Sequence, residues 1–320
     1  MKFKPIIVVA GEPNSIFLEI FFKSLKKKFK NPIILIASLN LVKLQMNKLN
    51  INRKIKIIDS KNFSLKSLNN NCINIINVNY NPRKAFKKIT SKSNKYIKKC
   101  FEISFKIIKK YKINKLINGP INKKTFLKRD YLGITEYISK NFKIKKNAML
   151  IYNNKLSVCP VTTHLPLKSV AKKINKKIII EKVELIHAFY KKKINKKPKI
   201  AILGLNPHCE SINKFNEDEK IIKPTVKLLK KLNYKVSGPH SSDTIFLKNN
   251  RRKFDVILGM YHDQVLTPIK TLFEYDAINI TLGLPFLRIS PDHGPNEKML
   301  GKNKSNPLSL LKAISFLDKN

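Results

Sequence analysis

Residues 254–270 read FDVILGMYHDQVLTPIK, an apolar run that passes directly into a histidine and an aspartate. Four of its first five residues are bulky and apolar or aromatic, which is typical of a buried β-strand. Two other runs end in the same way, because LSVCPVTTHLPL leads into His164 and KIAILGLNPHCE leads into His208. The sequence therefore predicts three strands that each deliver a histidine where the strand ends.

Apolar runs of strand length recur along the chain and alternate with amphipathic helical patterns such as KYIKKCFEISFKIIKKY. Strands that alternate with helices predict an α/β protein with a largely parallel sheet. Ligands of such sheets gather outside the carboxyl ends of the strands, so we expect the chemistry there. The nine runs are KPIIVVA (4–10), NPIILIAS (31–38), INIINV (73–78), NKLING (114–119), AMLIYN (148–153), LSVCPVTT (156–163), KIAILGL (199–205), FDVILGM (254–260) and AINITLG (277–283).

The three strand-end histidines, His164, His208 and His262, are expected to converge at that edge. Three neutral imidazoles that leave a fourth position open form a site for a catalytic divalent metal. A single histidine after a strand is more commonly a hydrogen-bonded loop residue, so the metal-site interpretation depends on the repetition. The remaining histidines fit ordinary roles in helix packing or in turns: His187, His240 and His293.

The formal charge of +46 over 320 residues is the feature that would suggest a nucleic-acid-binding protein. Six of the 66 basic residues are arginine, the side chain that favours bidentate phosphate and guanine contacts. The lysines are spread along the whole chain together with abundant Asn and Ile, a composition that indicates A/T-rich codon usage. We therefore expect no specific nucleic-acid partner, although the charge would still attract anionic ligands.

Hydropathy and cysteine spacing indicate a cytoplasmic protein. No apolar run reaches the roughly 18 residues that a membrane span needs, and the apolar stretch near the N-terminus is shorter than a signal-peptide core. The four cysteines are far apart and form no C-x-x-C, which favours reduced thiols over a disulfide framework or a cysteine zinc site. The glycine fingerprints of the Rossmann turn and of the P-loop are also absent, so a bound dinucleotide would not use them.

Taken in order, the motifs resemble the 4-hydroxythreonine-4-phosphate dehydrogenase family of pyridoxal 5′-phosphate (vitamin B6) biosynthesis. The resemblance covers almost the whole chain, from GEP at 11–13 onward. The matching stretches are NGPINK (118–123), GITE (133–136), VTTHLPLKSV (161–170), GLNPH (204–208), SDTIF (242–246), GMYHDQ (259–264) and NITLGLPFLRISPDHG (279–294).

The resemblance implies two α/β/α lobes with a central cleft, similar to the isocitrate and isopropylmalate dehydrogenases. The first lobe would comprise residues 1–130 plus about 290–320, and the second residues 131–289. It also implies a homodimer with the site at the subunit interface, NAD (or NADP), and one divalent ion such as Zn, Mg or Co. The family's metal ligands match His164, His208 and His262, and its substrate contacts match Thr135, Lys270, Asn279 and Arg288.

The implied reaction is oxidation of 4-phosphohydroxy-L-threonine to a β-keto acid, which decarboxylates to 3-amino-2-oxopropyl phosphate. The sequence does not identify the general base, for which Asp243 and Asp263 are candidates. Asp263 directly follows His262, so it could equally orient that imidazole or be a solvated turn residue.

Three departures from the family pattern bear on the substrate. Ile134 stands where the family has a substrate-contacting histidine, and its side chain cannot donate a hydrogen bond. The glycine-rich stretches of the family read GEPNSIF and CESINKFNEDEK here, so we expect Asn14, Asn213 and Asn216 to take over some positive-φ positions. These changes fit either sequence drift or a sister dehydrogenase that acts on threonate or erythronate 4-phosphate.

Overall fold

The computed structural model describes residues 4–127, 131, 133–210, 215–291 and 294–320. The chain divides into two compact units: unit 1 comprises Met1–Ile138 and Pro285–Asn320, and unit 2 comprises Ser139–Leu284. Strands and helices alternate along both units, which confirms the predicted α/β class. His293, predicted above to lie in a turn, is outside the described residues.

Unit 1 contains a parallel sheet whose strand order, within the described residues, is β3-β4-β2-β1-β5-β12. Its strands are β1 (Ile6–Val9), β2 (Ile33–Ala37), β3 (Ile55–Ile57), β4 (Ile73–Asn77), β5 (Lys115–Asn118) and β12 (Leu287–Pro291). Its helices are α1 (Phe17–Ser24), α2 (Leu39–Lys48), α3 (Asn94–Tyr111) and α11 (Leu308–Lys319), with α4 (Ile134–Asn141) beginning in this unit.

Unit 2 contains a mixed sheet with the order β11-β6-β7-β10-β8-β9 among the described residues. Strands β7, β10, β8 and β9 are parallel, whereas β6 is antiparallel to both β7 and β11. The strands are β6 (Ala148–Tyr152), β7 (Ser157–Pro160), β8 (Ile200–Leu203), β9 (Val236–His240), β10 (Val256–Gly259) and β11 (Ile278–Leu282). The helices are α5 (Val170–Lys173), α6 (Lys176–Phe189), α7 (Lys223–Lys231), α8 (Ser242–Ile245), α9 (Lys248–Arg251) and α10 (His262–Phe273).

The central strands of each sheet are buried on both faces, which explains why their sequences are continuous apolar runs and do not alternate. All four residues of β1 and all four of β10 are buried. Full burial of one such aliphatic side chain stabilises the fold by about 1.5–3 kcal/mol. These strands therefore hold the loops at their carboxyl ends on a rigid base. No described helix is long and apolar enough to cross a lipid bilayer.

The expected role of asparagine at positive-φ positions proves wrong for Asn14 and Asn216. Neither is among the described residues with positive φ, and each instead uses its side-chain oxygen to accept from a backbone N–H. The Asn14 Oδ1 accepts from the backbone N–H of Lys87 at 2.9 Å, and the Asn216 Oδ1 accepts from the backbone N–H of Asp218 at 2.8 Å. Asn213 lies outside the described residues. Among the described residues, the asparagines that do adopt positive φ are Asn50, Asn195, Asn233, Asn296 and Asn303.

Candidate active site

The three predicted metal ligands follow three neighbouring parallel strands of unit 2. Strand β10 lies between β7 and β8 and pairs with both in parallel register. His164 comes after β7, His208 after β8 and His262 after β10. Because parallel strands end at the same edge, all three histidines leave the sheet from its carboxyl side.

His164 and His262 are brought into direct contact. Their ring centroids are 5.9 Å apart and their planes are inclined by 37°. His262 is the first residue of α10, and its Nδ1 lies 2.6 Å from Oδ1 of Asp263. This contact engages Nδ1 and leaves Nε2 for another partner, the arrangement in which a carboxylate orients a metal-binding imidazole.

His208 lies on an exposed turn that follows β8. It adopts a left-handed conformation with φ of 55°, and its side chain is 75% exposed. Its Nδ1 lies 3.9 Å from Oδ2 of Asp243. The buried carboxylate of Asp218 fixes the preceding residues by accepting from the backbone N–H groups of Leu205 (2.8 Å) and Asn206 (3.0 Å).

The three histidines offer the donors of a metal site but do not form a compact cluster. Among residues 4–127, 131, 133–210, 215–291 and 294–320, no group of three or more His, Cys, Asp or Glu side chains is close enough to hold an ion. Two of the three predicted imidazoles are nevertheless adjacent, and imidazole donors suit Zn²⁺, Co²⁺ and Ni²⁺. The donor chemistry of the three histidines therefore fits a divalent metal. In the structure, the rings of His164 and His262 lie next to each other.

The two carboxylates considered as general bases both lie beside predicted ligands. Asp263 contacts His262, and Asp243 lies next to His208. A hydrogen bond from the Ser241 hydroxyl, with His208 as a lesser cause, lowers the pKa of Asp243 below its ordinary value. A lowered pKa keeps this carboxylate ionised but makes it a weaker proton acceptor.

Two predicted substrate residues meet in unit 1. Arg288 on β12 is 1% exposed, and its Nη1 donates to Oγ1 of Thr135 on α4 at 3.4 Å. Burial lowers the pKa of Arg288 to about 10, while the nearby Glu136 acts in the opposite direction. The guanidinium therefore remains a buried cation at neutral pH, suited to an anionic ligand.

The other two predicted substrate residues lie in unit 2. Lys270 is on α10, eight residues after His262. Asn279 is on β11, and its Oδ1 is buried without a hydrogen bond from any described residue. An oxygen of this kind can accept a hydrogen bond from a ligand.

A buried acid that was not predicted from the sequence, Glu12, lies three residues after β1. Glu12, in the GEP motif, accepts from the backbone N–H of Asn14 at 3.1 Å and from the Ser93 hydroxyl at 3.2 Å. Desolvation raises the pKa of Glu12, and these hydrogen bonds oppose the rise. The sequence feature that could have indicated Glu12 is its position, because it is an acidic residue that closely follows a fully buried strand.

The raised pKa of Glu12 predicts a pH-dependent stability difference between wild type and Glu12→Gln. The folded form binds the proton more tightly, so the stabilising contribution is complete below the ordinary pKa and is lost as the pH rises through the folded pKa. Glutamine stays neutral throughout. The variant should therefore gain in Tm relative to wild type as the pH rises above the ordinary carboxyl pKa of 4.5.

Thermal unfolding of both proteins across this range measures the difference. Glu219→Gln, which removes a carboxylate that is 54% exposed, controls for the change in net charge. A Glu12→Gln difference that stays constant or shrinks with rising pH would contradict the prediction.

Comparison with known proteins identifies relatives over nearly the whole chain. The family model described as pyridoxal phosphate biosynthetic protein PdxA matches residues 18–317. A 4-hydroxythreonine-4-phosphate dehydrogenase of Sulfurihydrogenibium sp. is 38% identical over 317 residues, covering 97% of this chain and 96% of that protein. A D-threonate 4-phosphate dehydrogenase of Pectobacterium atrosepticum is 29% identical over 321 residues, covering 98% of each.

A solved structure has the same fold. The 4-hydroxythreonine-4-phosphate dehydrogenase from Klebsiella pneumoniae superposes with a TM-score of 0.81 at 26% identity, covering 98% of this chain and 96% of that one.

Proposed function

Because the chain belongs to the PdxA family of pyridoxal phosphate biosynthetic proteins, we propose that it oxidises 4-phosphohydroxy-L-threonine with NAD or NADP and a divalent metal. Membership makes it a dehydrogenase of this family, and the substrate, the metal and the cofactor are the proposed parts. The observation that carries the proposal is the contact between His164 and His262 at the carboxyl edge of unit 2. The 5.9 Å distance between the two ring centroids supports a site to which both histidines contribute.

The proposed reaction has two steps. The hydroxyl carbon of the β-hydroxy acid gives a hydride to the nicotinamide ring, and the hydroxyl proton goes to a base. The resulting β-keto acid loses carbon dioxide and takes up a proton, giving 3-amino-2-oxopropyl phosphate. A divalent metal held by His164, His208 and His262 would supply Lewis-acid chemistry, lowering the pKa of the hydroxyl and polarising the new carbonyl.

The side chains of this chain then have separate roles. Arg288 offers a buried positive charge for an anionic group of the substrate, with the Thr135 hydroxyl beside it. Lys270 adds a second cation and Asn279 a buried amide oxygen. Asp263 orients His262, and Asp243 is an ionised carboxylate that can take the proton. We also propose a cytoplasmic homodimer whose second subunit completes the site.

A second candidate is a sister dehydrogenase for threonate or erythronate 4-phosphate. Ile134, the first residue of α4, favours it because an aliphatic side chain cannot make the polar contact that the family histidine makes. The similarity to the D-threonate 4-phosphate dehydrogenase also spans the chain, although its identity is lower. The two candidates differ in one substituent of the substrate, an amine in the first and a hydroxyl in the second.

A substrate panel tests both candidates. The purified protein is given NAD or NADP, one divalent metal at a time, and each phosphorylated acid, and formation of the reduced nicotinamide is followed. The first proposal expects the highest kcat/KM with 4-phosphohydroxy-L-threonine. A higher kcat/KM with threonate or erythronate 4-phosphate would replace it with the second, and no turnover with any metal would reject both.

A further inference from the structure

The environment of Arg288 points to a residue that acts on the substrate through it. A buried charge is costly unless hydrogen bonds satisfy it. Arg288 is 1% exposed, and its Nε donates to Oδ1 of Asn118 at 2.7 Å. This is shorter than the 3.4 Å contact between its Nη1 and Oγ1 of Thr135, so Asn118 binds the guanidinium more closely than Thr135 does.

Asn118 is itself held in one orientation. It is the last residue of β5, it is 1% exposed, and its Nδ2 donates to the backbone oxygen of Gly119 at 2.9 Å. With the NH₂ group engaged there, Oδ1 faces Arg288. The two residues sit on adjacent parallel strands, with Arg288 level with Leu116. The donor, Arg288, and the acceptor, Asn118, therefore both lie on hydrogen-bonded strands and not on a loop.

The amide is chemically suited to this task. A guanidinium has five N–H donors in a fixed fork, and holding Nε fixes the plane of the whole group. A neutral acceptor does so without cancelling the positive charge that an anionic substrate needs. Glu136, whose Oε2 is buried and accepts no hydrogen bond from a described residue, supplies the longer-range charge that favours the protonated guanidinium.

We propose that Asn118 is a positioning residue for substrate binding, which sets the plane of the buried Arg288 guanidinium while leaving its charge intact. This inference rests on the proposed function, since Arg288 is taken to bind an anionic group of the substrate. It assigns Asn118 a role in KM for the phosphorylated acid and none in hydride transfer.

The test is Asn118→Ala, assayed with 4-phosphohydroxy-L-threonine. Loss of a hydrogen bond to a charged group should raise KM for the phosphorylated acid about tenfold to a hundredfold. KM for the nicotinamide cofactor and kcat should change far less. Calorimetric titration of the same substrate should show a Kd weakened by a similar factor, whether or not turnover is observed.

Two further variants separate positioning from general damage. Asn74→Ala removes another buried asparagine of unit 1, which donates to the backbone oxygen of Ile33 at 3.0 Å, and should leave KM for the phosphorylated acid unchanged. In the background of Arg288→Lys, which lacks the Nε donor, adding Asn118→Ala should raise KM no further.

The outcomes are distinguishable. The inference is overturned if Asn118→Ala leaves KM and Kd for the phosphorylated acid unchanged. It is also overturned if Asn118→Ala raises KM by the same factor in the Arg288→Lys background as in wild type. In both cases the proposed function stands. A wild-type protein that neither binds nor oxidises the substrate overturns the proposed function and the inference with it. Binding without turnover rejects the proposed oxidation of this substrate alone, and the Kd comparison still decides the role of Asn118.

Discussion

If His262 binds the proposed metal, its replacement by alanine is expected to lower kcat/KM by roughly a thousandfold or more, because loss of metal-assisted charge stabilisation costs several kcal/mol. The fold should persist. His262 lies at the first position of α10 with its side chain 35% exposed, so its removal opens no cavity in the core. Metal content, circular dichroism and Tm are measured together with the steady-state rates.

The neighbouring carboxylate and an unrelated histidine provide the matched variants. Asp263→Ala should have a smaller effect, about 10- to 100-fold, because in the proposed site Asp263 orients His262 through their 2.6 Å contact and does not itself bind the metal. His187→Ala, on α6 against the ring of Tyr234, should leave the rates close to wild type. If His262→Ala retains near-normal turnover and metal content, the three-histidine site is wrong.

Gly119→Ala is expected to destabilise unit 1 by about 3 kcal/mol or more, since overpacking a well-packed region forces backbone shifts. A Cβ at this position would lie 2.2 Å from the backbone oxygen of Ala10 and 2.7 Å from Cγ of Phe17. The backbone cannot easily move away, because the Gly119 N–H donates to the oxygen of Val9 at 2.8 Å.

Urea unfolding of wild type and variant measures this loss. Gly294→Ala is the matched control, because a Cβ there meets nothing within 4 Å, and its effect should stay within about 0.5 kcal/mol. Equal losses in the two variants would contradict the close-approach explanation.

The strands that form the centre of each sheet could be predicted because burial on both faces makes them continuous apolar runs. All nine runs contain an observed strand. The three strands that were not predicted from the sequence, β3, β9 and β12, are not continuous apolar runs. β3 and β9 end the sheet order of their units, and β3 is at most half-buried along its length. β12 carries Arg288, Ser290 and Pro291, a composition that does not suggest a buried strand.

The site was predictable only where its residues are close in sequence or share a pattern. The position of each histidine after a strand, and of Asp263 beside His262, could be read directly. The partner of Arg288 could not, because Asn118 lies 170 positions away and only the pairing of β5 with β12 brings them together. The contact of His208 with Asp243 likewise depends on loop geometry, which the sequence does not encode in any short pattern.

The hydrogen bonds around Asn118 and Gly119 also bear on how long the protein survives chemically. This is the one Asn-Gly pair in the sequence, the dipeptide most prone to deamidation. That reaction requires the Gly119 nitrogen to attack the side-chain carbonyl carbon of Asn118. In the fold the nitrogen donates to Val9, while the carbonyl oxygen is held by Arg288. These hydrogen bonds therefore restrain succinimide formation in the native state. The rate of deamidation at Asn118 should accordingly increase with the fraction of time that the chain spends unfolded.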